Sequence, residues 1–257
     1  MRLERAFVLS QEEVYENTFL MWLRCPEVAR GASPGRFIMI RCGEADDPLL
    51  GRPMSYHRFR RSGPEKEFAI LYDIRGRGTS LLSRRRAGDE VSLFGPLGRG
   101  YAINNESQNI LLVAGGLGVA AVVAAADECI ATGKSVTLLQ GARTSARLAP
   151  PELLPREVEA VSATEDGSSG HNGYVTQLLP QYLAWADQVL ACGPNAMFAS
   201  IAGEMRQARS RKRVQALLEE RMGCGTGVCY GCAVFTPKGV RLVCRDGPRF
   251  ELREVYR

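Results

Sequence analysis

The sequence predicts a multi-part β plus α/β protein. An antiparallel β-barrel comes first, then a doubly wound parallel-sheet domain, then a small C-terminal subdomain rich in cysteine. Three observations carry this expectation. From Met1 to about Tyr101, short β-branched or alternating runs are separated by glycine and proline turns, the spacing of a small antiparallel barrel. From about Asn104 to Arg213 the pattern changes to strand, helix and strand, as in an open α/β sheet. Beyond Val214, four of the eight cysteines crowd together. The expected units are 1–103, 104–213 and 214–257.

The barrel strands are expected at Glu4 to Leu9, Thr18 to Leu23, Phe37 to Arg41, Glu67 to Tyr72 and Glu90 to Leu93. In the second unit, Ile110 to Ala114 reads as a fully buried strand and Val119 to Ile130 as an alanine-rich helix ending near Thr132-Gly133. Further strands are expected at Ser135 to Gln140, Val158 to Ala163, Val175 to Leu179 and Gln188 to Cys192. Ala216 to Arg221 reads as a short helix leading into the cysteines, followed by strand-like runs at Ala233 to Thr236 and Val240 to Val243.

With 257 residues, 45% of them hydrophobic and 24% charged, the chain has material for about two domains and a small appendage, which excludes wholesale disorder. Met1 to Arg5 is charged and no apolar signal segment follows, so a disulfide framework is not expected and a reducing, cytoplasmic setting is. The net charge of +5 comes mainly from arginine. Its runs, Arg84 to Arg86 and Arg209 to Arg213, are too short for a phosphate-tracking stripe, so nucleic-acid binding is not expected. Ile110 to Ala126 is uncharged, but it falls short of the roughly 18 to 20 residues of a membrane span and is interrupted by glycines.

Cysteine spacing is the strongest chemical signal. Cys224-x4-Cys229-x2-Cys232, with Cys244 after eleven residues, begins like the plant-type pattern in which four thiolates hold a [2Fe–2S] cluster. A zinc knuckle or unligated buried thiols are the plainer alternatives. Glycines throughout Met222 to Cys232 allow the positive φ angles and inward N–H groups that a loop around sulfurs needs. Gly115-Gly116-Leu117-Gly118 stands between a strand and a helix, where backbone N–H groups can meet a pyrophosphate, although the full G-x-G-x-x-G spacing is lacking. Cys192-Gly193-Pro194 ends a second strand at the same expected sheet edge. In Arg52-Pro53-Met54-Ser55, arginine offers a planar fork for phosphate and serine a donor for a ring nitrogen. His57 and His171 form no acid–base constellation and are expected at the surface or in turns; no catalytic side chain is expected.

Together these segments resemble a known family. Arg52-Pro-Met-Ser55, Leu71-Tyr72, Gly76-Arg-Gly-Thr79, Gly95-Pro-Leu-Gly98, Val113 to Gly118, Gly141-Ala-Arg-Thr144, Cys192-Gly-Pro194 and Leu218 to Met222 before the cysteines follow the order and spacing of the electron-transfer subunits of NAD-linked (class 1B) dihydroorotate dehydrogenases, within the ferredoxin reductase-like flavoproteins. The resemblance implies an FAD-binding barrel, an NAD-binding domain and a C-terminal [2Fe–2S] loop held by Cys224, Cys229, Cys232 and Cys244. By the same resemblance Arg52, Pro53, Met54 and Ser55 grip FAD, with Ser55 near flavin N5. Leu71, Tyr72 and Asp73 lie along the flavin, and Gly78 and Thr79 bind its pyrophosphate. The family usually carries arginine where this chain has Asp73, with Arg75 or Arg77 as possible compensation. Gly115, Gly116 and Gly118 with Cys192, Gly193 and Pro194 form the nicotinamide site.

The implied partner is an FMN-containing catalytic subunit in a heterotetramer of two plus two, serving pyrimidine biosynthesis. A nicotinamide exchanges two electrons at once and an iron–sulfur cluster one, so a flavin is the group able to join them. The alternatives are a flavin and iron–sulfur subunit of a sulfide dehydrogenase, a hydrogenase or a ferredoxin–NADP reductase, or, more distantly, a zinc-binding regulator. NAD is expected over NADP, although Arg143, Ser145 and Arg147 stand where a 2′-phosphate would be met.

Overall fold

The computed structural model describes residues 1–43, 47–61 and 66–256. A long strand, β1 (Arg2–Tyr15), turns through Asn17, at φ 53°, into the antiparallel β2 (Thr18–Arg24). Asparagine tolerates that left-handed conformation. After a single turn, α1 (Pro26–Ala29), come β3 (Phe37–Ile40), β4 (Arg52–Ser55), β5 (Arg58–Arg60), β6 (Glu67–Asp73), the short α2 (Arg77–Leu82) and β7 (Glu90–Leu97). They form one antiparallel sheet in the order β4-β3-β7-β1-β2-β6-β5, with β4 lying beside β6 as the sheet curls round. Met21, Leu23, Ile38, Ile40, Tyr56, Phe68 and Ile70 fill its interior. The expected strand runs lie within strands of this sheet, except that β3 ends at Ile40, one residue short of the expected Arg41, and β4 and β5 are additional members.

The second sheet is built from β8 (Asn109–Gly115), β9 (Ser135–Ala142), β10 (Glu159–Thr164), β11 (His171–Asn172), β12 (Gln188–Cys192), β13 (Val214–Leu217) and, at the far edge, β16 (Arg249–Glu251). Its order is β11-β10-β9-β8-β12-β13-β16, parallel except for β16. The chain winds outward from β8 in one direction through β9 and in the other through β12. The crevice where the winding reverses therefore opens at the carboxyl ends of β8 and β12, the place where open α/β sheets take ligands.

Helix α3 (Val119–Ala131) is wedged between this sheet and the barrel, and Val119 to Ala126 are all buried. Small side chains suit a helix enclosed on both sides: the core holding Ala121 and Val122 continues into Leu20, Ala69 and Leu71 of the barrel. On the other face α4 (Leu179–Tyr182) and α5 (Asn195–Gln207) cover the sheet, the latter through Met197, Phe198, Ile201, Ala202 and Met205. No helix among the described residues is long and apolar enough to cross a membrane.

Three expectations are corrected. Val175 to Leu179 is not a strand but a 3₁₀ turn (Val175–Leu178) running into α4, whose Pro180 has no N–H for a ladder. A five-residue run of mixed polarity, Val-Thr-Gln-Leu-Leu, does not distinguish the two. Ala216 to Arg221 is not a helix: β13 begins at Val214 and is held between β12 and β16, with buried Gln215 exchanging hydrogen bonds with the Ala102 backbone. Tertiary pairing overrides helix propensity there. His57 is fully buried rather than at the surface, whereas His171 is exposed as expected.

The His57 ring carries a proton on Nδ1 and donates it to the Ala120 carbonyl at 3.2 Å, tying the barrel to the first turn of α3. Burial pushes its pKa down to about 4. The unfolded chain, titrating near pH 6.5, takes up the extra proton between about pH 6.5 and 4. Stability is therefore expected to hold above pH 6.5, fall as the pH drops and level off below 4, by roughly 3 kcal/mol in all. Urea midpoints across that range check this, and His57→Asn should flatten the acid limb.

The cysteine segment leaves β13, forms a hairpin of β14 (Ala233–Thr236) and β15 (Gly239–Leu242), turns through α6 (Val243–Asp246) and returns as β16. It is thus inserted between two neighbouring strands of the second sheet. Cys232, Val234, Leu242, Val243 and Cys244 share a core with Phe37, Met39 and Leu97 of the barrel.

Candidate functional site

A cavity of about 420 Å³ opens where the three parts of the chain meet. The barrel contributes Pro53, Met54 and Ser55 from β4 and Leu71 and Tyr72 from β6. The second sheet contributes Leu117, Ala120, Ala121 and Cys192, and the stem of the cysteine segment contributes Leu218 to Met222. Its glycines are shaped by contact. A Cβ on Gly118 would lie 2.0 Å from the Cys192 carbonyl oxygen, and one on Gly115 would meet Met197 Sδ at 2.7 Å and Pro194 Cδ at 3.0 Å. Gly193 is as close to Met197. Gly115, Gly118, Cys192, Gly193 and Pro194 are thus one packed unit. Gly116 differs: it has φ 53° and open space in front of it, which leaves its backbone approachable.

Arg52 leaves β4 toward α2, where a Cβ on Gly78 would lie 3.0 Å from its guanidinium Nε. Its Nη1 donates to the Leu50 carbonyl at 2.6 Å. Thr79 builds the adjoining turn, its hydroxyl oxygen accepting the Arg75 N–H at 2.8 Å and the Gly76 N–H at 3.3 Å. Arg52, Gly78 and Thr79 are therefore brought together as the sequence suggests. Asp73 is turned elsewhere. Its buried carboxylate accepts the Thr18 hydroxyl at 2.7 Å and pairs with Arg147 at 2.5 Å and Arg75 at 3.2 Å, while Arg77 pairs with Asp47.

Cys192 points its thiol toward Glu219 Oε1 at 3.8 Å. Burial and the Glu219 charge push the thiol well up, so it stays protonated and is no nucleophile. The same enclosure raises the Glu219 carboxyl, against the pull of the Cys192 hydrogen bond and Arg75. Sequence reasoning did not single out Glu219; its signal was only its place in the run Leu218 to Met222.

The four clustered cysteines fall into two pairs. Cys224 lies beside Cys229, and Cys244 beside Cys232, whose sulfur accepts the Cys244 N–H at 3.4 Å. Thr226 N–H points at Cys224 Sγ (3.3 Å) and Gly231 N–H at Cys229 Sγ (3.4 Å). Gly225 and Gly227, at φ 71° and 90°, turn the loop through the left-handed region that makes this possible. Burial works to raise the Cys224 thiol, but Thr226 and Cys229 outweigh it and hold it at about 5; burial and Cys232 push Cys244 up to about 12. Among the described residues no three metal-ligating side chains converge on one point. Two pairs of cysteine sulfurs with inward N–H groups are a donor set that would fit a [2Fe–2S] cluster, which would be held by all four as thiolates.

Residues 219–256 match the family described as the iron-sulfur cluster binding domain of dihydroorotate dehydrogenase B. Over 257 residues, 97% of each chain, the protein is 37% identical to "Dihydroorotate dehydrogenase B (NAD(+)), electron transfer subunit" from Desulforamulus reducens. The chain belongs to the dihydroorotate dehydrogenase B electron transfer subunit family. A relative of the same name from Geobacillus thermodenitrificans is 35% identical over 98% of both chains. Among solved structures, the chain is similar to the NADH-dependent reduced ferredoxin–NADP oxidoreductase, with a TM-score of 0.84 at 28% identity over 97% of this chain and 89% of that one. A ferredoxin reductase of carbazole 1,9a-dioxygenase, at TM-score 0.66 and 22% identity over 81% of this chain and 65% of that one, shares the fold. The ferredoxin reductase-like architecture is thus the fold of this family member.

Proposed function

We propose that the chain passes electrons from an FMN-bearing dihydroorotate dehydrogenase catalytic subunit, by way of a [2Fe–2S] cluster and FAD, to NAD⁺ in pyrimidine biosynthesis. The observation that carries this is the single cavity in which β4, the glycine turn with Cys192, and the stem of the cysteine segment face one another. When bound, FAD would exchange a hydride with the nicotinamide and single electrons with the cluster.

The chain's own residues bind and orient. Arg52 supplies a fixed cation beside Gly78 and Thr79 for the FAD phosphates. Pro53, Met54, Ser55, Leu71 and Tyr72 present a largely apolar floor to the flavin ring, with the Ser55 hydroxyl on it and the Tyr72 hydroxyl donated to Gln11 Oε1 at 2.7 Å. Gly115, Gly116 and Gly118 with Cys192, Gly193 and Pro194 hold the nicotinamide dinucleotide at the carboxyl edge of the sheet. Cys224, Cys229, Cys232 and Cys244 hold the cluster. Residues 1–103 serve as the flavin unit, 104–213 as the nucleotide unit and 214–257 as the cluster unit, the last lending β13 and β16 to the second sheet; Arg257 lies outside the described residues.

Cys229 is exposed, as are its chain neighbours Val228 and Tyr230 and, further along the same subdomain, Phe235. An apolar face at a cluster ligand suits docking of the catalytic subunit in a cytoplasmic two-plus-two heterotetramer. In the complex, Cys229→Ala should leave NADH oxidation by artificial acceptors intact and stop electron exchange with the catalytic subunit. Survival of both activities would reject the route through the cluster. The similarity to the ferredoxin–NADP oxidoreductase over most of both chains favours a second reading, a diaphorase subunit of another NAD(P)-linked complex. Co-purification with an FMN protein that converts dihydroorotate distinguishes the two.

A further inference from the structure

The end of β9 bears on which dinucleotide the crevice accepts. Gly141 of β9 is the registered partner of Gly115 of β8, so residues 143–147 leave the sheet directly beside the glycine turn. In dinucleotide-binding α/β folds this is where the adenosine ribose lies, and an arginine there accommodates the 2′-phosphate that separates NADP from NAD. Two arginines stand in the segment. Arg143 is exposed.

Arg147 is already engaged. Its guanidinium reaches out of the nucleotide unit to the barrel, where Nη2 lies 2.5 Å from Asp73 Oδ2 and Nη1 donates to the Glu16 carbonyl. Asp73 is only 3% exposed and is anchored in turn by the Thr18 hydroxyl at 2.7 Å and by Arg75 at 3.2 Å. A carboxylate buried this deeply is costly to leave without its cations, so the attachment has weight that a surface ion pair lacks. Arg147 is held on the barrel side by two acceptor atoms, the Glu16 carbonyl oxygen and Asp73 Oδ2, neither of which belongs to the nucleotide unit.

We propose that Asp73 biases this chain toward NAD by holding Arg147 against the barrel, out of reach of a 2′-phosphate. The inference rests on the NAD-linked reading above and adds the residue pair that sets the choice. Asp73 acts through Arg147 and is a specificity-positioning residue.

The test uses the protein with FAD and cluster bound, and two readouts: calorimetric titration with adenosine 2′,5′-bisphosphate and with 5′-AMP, and the ratio of kcat/KM for NADPH over NADH with an artificial acceptor. Asp73→Asn should tighten the 2′,5′-bisphosphate by about tenfold, the scale of one charge-assisted contact, with 5′-AMP changed far less and the NADPH to NADH ratio rising in parallel. Adding Arg147→Ala to Asp73→Asn should remove the gain. Arg147→Ala alone, which keeps Asp73 anchored by Thr18 and Arg75, should leave the ratio at its starting value.

An unchanged ratio in Asp73→Asn, a gain that persists without Arg147, or an equal loss for both dinucleotides would each overturn the proposal. So would a fall in the ratio in Arg147→Ala, which would mean that Arg147 already meets the phosphate. Failure of the unaltered protein to oxidise NADH would instead count against the functional reading, and the adenosine titrations would still decide the role of Asp73.

Discussion

Gly118→Ala is expected to lower NADH oxidation by about a hundredfold or more. The added Cβ would sit 2.0 Å from the Cys192 carbonyl oxygen, 2.5 Å from its carbon and 3.0 Å from the Gly193 nitrogen. All three are backbone atoms at the end of a buried strand, so no side chain can rotate away and either β12 or the start of α3 must move. A displacement of about 1 Å between reacting groups costs on the order of a hundredfold in rate. The same overpacking is expected to cost at least the roughly 1–3 kcal/mol typical of inserting a methyl group into a packed core. Steady-state kinetics and a denaturant midpoint read the two effects. Gly116→Ala is the informative contrast, because its Cβ meets nothing within 4 Å and only the φ of 53° opposes it. If Gly118→Ala were no worse than Gly116→Ala, close approach of the two strand ends would not be what the position requires.

Cys232→Ala is expected to be the most damaging single change in the cysteine segment. Cys232 and Cys244 are 1% and 3% exposed and sit in the core with Val234, Leu242 and Val243, whereas Cys229 is exposed. Loss of any ligand should remove the cluster's visible absorption and its electron spin resonance signal. At Cys232 the hairpin β14–β15 also loses a buried side chain from the core it shares with Phe37, Met39 and Leu97 of the barrel, a core in which Cys229 takes no part. Electron exchange with the catalytic subunit should fall to background in both variants. Hydrogen exchange of residues 233–242 should rise in Cys232→Ala and much less in Cys229→Ala; equal protection in the two would show that burial of the ligand does not matter.

Much of the fold was legible because its signals are local. The glycine turn before α3, the buried strand Ile110 to Ala114 and the alternation of the barrel strands depend on spacing within a few residues, and each is found where the sequence puts it. Val175 to Leu179 and Ala216 to Arg221 went wrong for the opposite reason. Both are short runs whose conformation is decided by what lies against them: Val175 packs under Gly141, and β13 is claimed by strands on either side. His57, expected at the surface or in a turn, does lie in the connection between β4 and β5, but nothing near it in the chain marks that position for burial; Ala120, which accepts its proton, is 63 residues away.

The candidate site divides in the same way. Sequence alone determined the cysteine spacing, the Arg52 to Ser55 strand and the two glycine-bearing strand ends, since each is a chemical requirement written into a few adjacent residues. Only the tertiary structure decided that Pro53 to Ser55, Leu117, Cys192 and the stem Leu218 to Met222 before the cysteines line one cavity, that Glu219 faces Cys192 across it, and that Arg147 is bound to Asp73 rather than free for a ligand. Ion pairs and hydrogen bonds act over a few ångströms in space, and which groups come that close is set by the packing of the barrel, α3 and the parallel sheet, which no local pattern encodes.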